Sequence, residues 1–197
     1  MFTGIIQQLG KTINFSNGEL EISTVLDLSD CDVGSSICCN GVCLTATEIK
    51  LKNKEYYFKV NIGEETQNRT TFSQNVFNKL TSINLEKSLK IGDEVSGHFV
   101  YGHVDRTTKV FKINSLSNSW EFFFENFQNY DKKYIVDKAS IAVNGISLTI
   151  AKVTNDNFSI SVIPHTYENT NLKFMKQNDV VNIEFDYLAR FAERSKN

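Results

Sequence analysis

Basic residues are in short supply: 21 Lys and Arg against 23 Asp and Glu leave a net charge of −2, with no block of like charge. A nucleic-acid ligand asks for a basic face to meet its phosphates, so that partner class is disfavoured from the outset. No run approaches the ~18 apolar residues of a membrane span, which argues against a membrane partner. The opening MFTGIIQQLG has neither a basic stretch nor a long apolar core, so no secretory signal peptide is expected. Walker loops, GxGxxG and HExxH are missing as well. The chain is expected to be soluble and cytoplasmic.

Metal-ligand spacing is also lacking. The four cysteines, Cys31, Cys38, Cys39 and Cys43, crowd into one stretch as C-x6-C-C-x3-C, which fits no zinc knuckle. They read as reduced cytosolic thiols. His98 and His103 lie five apart, which on a strand sends them to opposite faces, so no metal site is expected.

What the sequence does have is a repeat. NGVCLT (Asn40–Thr45) returns as NGISLT (Asn144–Thr149). Three further runs align in the same order: GIIQQLGKT from Gly4 with GHVDRTTKV from Gly102, ETQNRTTF from Glu65 with HTYENTNL from His165, and INLE from Ile83 with VNIE from Val181. Four collinear matches about 100 residues apart mean a duplication into two domains rather than a solenoid. The 197 residues, 41% of them hydrophobic, suffice for two cores of roughly 90 residues each.

Both halves share one texture. GELEISTVL, EYYFKVNI, KVFKIN, NFSISVI and VVNIEFD alternate apolar and polar residues between Asn-, Gly-, Asp- or Ser-containing turns. The pattern predicts an all-β chain of antiparallel strands in small barrels or sandwiches. In EYYFKVNI, Tyr56, Phe58, Val60 and Ile62 share one face, and Tyr57, Lys59 and Asn61 the other. Helical crossovers are expected over Glu65–Leu80 and Glu168–Met175, and a short C-terminal helix over YLARFAERS, whose apolar face would need a partner surface. The halves should meet near Gly92–Gly97, giving domains 1–95 and 96–186, with the helix at 187–197.

Candidate chemistry sits at the repeated motif. Cys43 and Thr45 in one half, and Ser147 and Thr149 in the other, are i and i+2 on a strand, so each pair presents two small polar groups to one space. Ordinary barrel-wall residues would be spaced the same way. The halves differ where Ile5 aligns with His103, a group able to act as base or acid near neutral pH. They differ again where Gly34 aligns with Lys138. From the residues alone, the reading stops at a duplicated small β-barrel with paired pockets.

MFTGII, NGVCLT, SGHFVYGHVD, NGISLT, IPHTYENTNL and VNIEFD, taken together and in order, resemble the alpha-type riboflavin synthases over Met1 to about Asp186. The resemblance implies two six-stranded Greek-key β-barrels with a C-terminal helix, assembled as a homotrimer. It implies dismutation of two molecules of 6,7-dimethyl-8-ribityllumazine into riboflavin and 5-amino-6-(ribitylamino)uracil by four-carbon transfer, without metal or cofactor. Each site would lie between the first barrel of one subunit and the second of its neighbour. Two identical reactants meeting face to face would explain two similar pockets, since holding both in register removes entropy from a bimolecular barrier.

Carried over by position, the resemblance implies a first pocket of Gly4, Ile5, Ile6, Cys43, Leu44, Thr45, Asn61, Ile62, Gly63, Glu64, Glu65 and Thr66. The second would take Gly102, His103, Val104, Lys138, Ser147, Leu148, Thr149, Ser161, Val162, Ile163, Pro164, His165 and Thr166. Catalysis would rest on His103, Ser147, Cys43 and Thr149, with Asp186 as a supporting carboxylate. Two other readings stay open: a non-catalytic lumazine- or flavin-binding antenna protein, and a β-barrel interaction module, which leaves the repeated polar pairs unexplained.

Overall fold

The computed structural model describes residues 1–73, 82–125 and 129–195. Twelve strands build two closed barrels among the described residues. The first comprises β1 (Gln8–Ser16), β2 (Glu19–Thr24), β3 (Ser36–Cys39), β4 (Val42–Lys52), β5 (Glu55–Asn61) and β6 (Ser82–Lys87), in the order β1-β2-β5-β4-β3-β6. The second comprises β7 (Arg106–Ser115), β8 (Trp120–Glu125), β9 (Ser140–Val143), β10 (Ile146–Val153), β11 (Asn157–Val162) and β12 (Val180–Phe185). Its neighbours repeat those of the first barrel strand for strand.

Period-2 alternation fills each interior. Leu20, Ile22, Phe58, Val60, Ile83 and Leu85 are fully buried in one core, and Phe122, Phe124, Phe158, Ile160, Val181 and Ile183 in the other. Closure removes the unpaired edges that such strands would otherwise offer for aggregation.

The repeated Asn-Gly is a two-residue hairpin in both halves, joining β3 to β4 and β9 to β10. Both residues of each turn have positive φ: 48° and 81° at Asn40–Gly41, 47° and 78° at Asn144–Gly145. Asn tolerates that region and Gly suits it, which accounts for the dipeptide. The two turns also touch. A Cβ on Gly41 would lie 2.7 Å from the Gly145 nitrogen, and one on Gly145 would lie 2.7 Å from the Gly41 nitrogen. The motif therefore marks where the barrels meet back to back, about a pseudo-twofold axis.

A buried amide network surrounds that axis. Asn84 Nδ2 donates to Asn144 O and Asn171 Oδ1 (both 3.0 Å), and Asn182 Nδ2 donates to Asn40 O (2.8 Å) and Thr71 Oγ1 (3.0 Å). Asn171 Nδ2 reaches Asn40 Oδ1 at 3.1 Å. The symmetry breaks where Asn171 in the second half corresponds to the shorter Thr71. Asn144 Nδ2 reaches Asn171 at 3.5 Å, while its counterpart Asn40 Nδ2 has no partner. Phe2 and Val100 add a β-bridge between the halves, N–H to O both ways at 2.7 and 3.0 Å.

Helices depart from the expected spans. The first crossover helix, α1 (Glu64–Arg69), stops where Thr70 turns extended, and residues 74–81 of the expected Glu65–Leu80 run lie outside the described ones. The second, α2 (Pro164–Asn169), starts four residues before the expected Glu168 because Pro suits a first helical turn, and a 3₁₀ turn (Asn171–Phe174) follows it. The C-terminal helix α3 spans Tyr187–Arg194.

Candidate functional site

Polar pairs on β4 and β10 face outward. Val42, Leu44 and Ala46 point into the first barrel, leaving Cys43 and Thr45 on its outer surface; Ile146 and Ile150 do the same for Ser147 and Thr149. The i, i+2 spacing thus puts each pair on one face, as expected, and that face lies outside the barrel. Leu44 is core, and Leu148 packs against the second core. Register brings the rest alongside. Ala46 opposite Val60 sets Thr45 beside Asn61, and Ile150 opposite Ile160 sets Thr149 beside Ser161.

The loops in front of these strands are exchanged between barrels. Gly102 comes from the segment entering the second barrel, yet its carbonyl accepts the Cys43 N–H at 2.8 Å. Gly4 leads into the first barrel, and its carbonyl accepts the Ser147 N–H at 2.8 Å. Val104 packs on the first core and Ile6 on the second. The structure therefore groups Cys43, Leu44, Thr45 and Asn61–Thr66 with Gly102, His103 and Val104. Ser147, Leu148, Thr149 and Ser161–Thr166 fall with Gly4, Ile5 and Ile6, and one cleft is lined by both Ile6 and His165. The sequence grouping placed each glycine loop with its own half. Close approach is the physical reason for the exchange: both glycines have left-handed φ, 76° and 77°, and a Cβ on either would meet the opposite barrel at 2.5–2.6 Å.

Each loop hangs on a buried carboxylate. Glu86 accepts from Thr3 N (2.7 Å), Thr3 Oγ1 (2.9 Å) and Gly4 N (3.0 Å). Glu184 accepts from the backbone N–H of Tyr101 (2.6 Å), Gly102 (2.8 Å) and His103 (2.9 Å). Burial raises both carboxyls above the usual range, and these N–H groups pull the other way by favouring the anion.

The remaining expected site residues lie at strand ends, helix starts and loops. The runs Asn61–Thr66 and Ser161–Thr166 are not continuous strand. Strands stop at Asn61 and Val162, Ile62 is buried, Gly63 and Ile163 flank the helices, and Glu64, Glu65, Thr66, Pro164, His165 and Thr166 form first helical turns. Lys138 adopts φ 71° and is exposed; its N–H donates to Ile150 O as Gly34 donates to Ala46 O, so the alignment with Gly34 matches in backbone. Asp186 caps α3, its Oδ1 accepting Leu188 N–H at 3.0 Å. Arg190 of that helix contacts Asp105, whose other oxygen accepts Phe185 N–H at 2.9 Å.

His98 was missed. Its Nδ1 shares a 2.7 Å hydrogen bond with Ser147 Oγ, and its N–H donates to Thr3 O at 3.1 Å. Burial lowers its pKa, favouring the neutral imidazole, which can take a proton from Ser147 or from water beside it. The strand spacing bore only on a metal site, and this segment forms only the single bridge at Val100. The available signal was its sharing SGHFVYGHVD with His103. Among the described residues no cluster of three or more His, Cys, Asp and Glu could hold a metal ion.

Duplicated barrels with outward-facing polar pairs and crossed loops define a tandem lumazine-binding domain, and the family model described as "Lumazine binding domain" matches residues 3–88 and 101–186. Curated relatives named riboflavin synthase align along almost the whole chain. The protein from Brucella abortus is 37% identical over 98% of this chain and 97% of its own. That from Photobacterium phosphoreum is 36% identical over 98% and 88%, and that from Saccharomyces cerevisiae 35% over 98% and 85%. The chain belongs to the riboflavin synthase family. Its fold also matches the crystal structure of LumP complexed with riboflavin at a TM-score of 0.76, with 21% identity over 94% of this chain and 99% of that one.

Proposed function

We propose that this chain is a riboflavin synthase, converting two molecules of 6,7-dimethyl-8-ribityllumazine into riboflavin and 5-amino-6-(ribitylamino)uracil. One molecule loses a four-carbon unit and the other gains it, so atoms and electrons balance without an outside oxidant. The observation that carries this reading is two pockets alike in frame and unlike in polar groups. One has Cys43 and Thr45 under the His103 loop; the other has Ser147 and Thr149 beside His98. Similar frames suit identical substrates, and unlike groups let one act as donor and the other as acceptor. His98–Ser147 is suited to move a proton, and His103 to act as base or acid at the other pocket. Lys138, exposed beside Ile150, is placed to meet a ribityl hydroxyl.

Purified protein should form riboflavin from the lumazine in plain buffer containing chelator, followed by absorbance. Stoichiometric ligand binding with no growth of riboflavin absorbance would move the chain to the antenna class.

We place the enzyme in the cytoplasm, where its four free thiols stay reduced. No helix among the described residues is long and apolar enough to cross a membrane. We divide it at 1–95, 96–186 and 187–197, and assign it as a homotrimer. On α3, Leu188 and Phe191 are 71% and 68% exposed, an apolar face suited to a neighbouring subunit. In that assembly each site joins the first pocket of one subunit to the second of the next. A chain inactivated by Cys43→Ala with Thr45→Ala, mixed and reassembled with one carrying Ser147→Ala and Thr149→Ala, should then regain part of the activity. Proven subunit exchange without recovery would place the site within one chain.

A further inference from the structure

We propose that Glu86 and Glu184 are positioning residues wired across the molecule: the carboxylate buried in each barrel sets the loop that closes the pocket of the other. The inference rests on reading both pockets as lumazine sites. Glu184 lies on β12 between buried Ile183 and Phe185 and is 2% exposed. Burying a carboxylate there is costly unless hydrogen bonds satisfy it. Three consecutive backbone N–H groups, from Tyr101 to His103, do so. Three bonds to one rigid group fix the path of that loop.

The loop then leaves its own barrel. Gly102 O takes the Cys43 N–H, Val104 enters the first core, and His103 stands between them. Moving Glu184 therefore moves His103 relative to Cys43, although Cys43 belongs to the other barrel. Glu86 repeats the arrangement in reverse, holding Thr3 and Gly4, whose carbonyl takes the Ser147 N–H of the second barrel. Equivalent positions in both halves, with equivalent targets that each end on a pocket residue, exceed what barrel packing requires.

Glu184→Gln keeps the shape but turns an accepting oxygen into a donor that faces N–H groups. In the full-length chain, amide hydrogen exchange followed by NMR should show protection at Gly102 and His103 falling about tenfold or more, with Thr3 and Gly4 unchanged. Glu86→Gln should give the mirror pattern. In turnover, Glu184→Gln should cost about tenfold in kcat alone, little further in a His103→Ala background, and its full factor in a Ser147→Ala background. Equal loss of protection at both loops, or full additivity with His103→Ala, overturns the crossed wiring. Glu184→Asp, which keeps the charge but draws it back by one methylene, serves if the Gln variant does not fold; failure of both to fold would make the carboxylate a fold determinant and reject the proposal. A wild-type chain that turns over no lumazine would defeat the functional reading while leaving the exchange pattern readable.

Discussion

Gly102→Ala should lower turnover by about two orders of magnitude while leaving both barrels folded. At φ +77° an L side chain costs about 1–2 kcal/mol. The new methyl would also sit 2.5 Å from Cys43 Cβ and 2.7 Å from Cys43 N, and backbone on β4 cannot step aside. Such overpacking adds about 1–3 kcal/mol. The strain is relieved by lifting the loop, which breaks the Cys43–Gly102 bond and carries His103 away. Gly4→Ala should act likewise against Ser147. Gly34→Ala is the control: φ there is +98°, but nothing lies within 4 Å of the added carbon. Lys138 occupies the equivalent place in the other half, so the control should lose only the backbone cost of about 1–2 kcal/mol and keep its turnover. Steady-state rates with thermal melts check the set. A Gly102→Ala enzyme running near the wild-type rate would show that the loop is not closed against Cys43.

Much of this architecture was legible in the letters. Alternation in EYYFKVNI placed Phe58 and Val60 inside and Lys59 outside, because a strand's period of two is enforced locally by the pleat. Asn-Gly announced a turn because few other residues accept two successive positive φ values. The crossed loops were not legible: the contacts of Gly4 with Ser147 and of Gly102 with Cys43 span long sequence separations, and no local pattern encodes which barrel a glycine approaches. His98 escaped for a related reason, since its partner lies 49 residues away. The buried amides were hidden by their chemistry. Asn84 and Asn182 served only to align INLE with VNIE, and asparagine ordinarily suggests surface. Both are 1% exposed.

Asn182→Ala should cost about 3–5 kcal/mol of unfolding free energy, a large share of a typical ~5–15 kcal/mol total. Its side chain accepts from Thr71 N–H (2.8 Å) and donates to Asn40 O (2.8 Å) and Thr71 Oγ1 (3.0 Å). Truncation strands these groups in a buried interface, at about 1–3 kcal/mol for each one left unsatisfied. Asn84→Ala should be comparable, since Asn171 N–H and Asn144 O lose their partner and Asn171 Oδ1 keeps only the 3.5 Å bond from Asn144 Nδ2. Urea unfolding measures both. A loss below about 1 kcal/mol would mean that water replaces the amide and that the barrels do not depend on the network.

Loop exchange also bears on where such a chain comes from. A half-chain cut near Ile91 carries the strands of one pocket and the loop of the other, so by itself it completes neither. Two copies of that half, set back to back, would complete both by lending each other their leading loops. The single chain is that reciprocal pair made permanent by fusion. Once joined, the copies were free to diverge, so that Ile5 could face His103 across an inherited symmetry and a lysine could replace a glycine. Specialising one pocket without the other is open to a tandem gene and closed to a homodimer, in which every change is made twice.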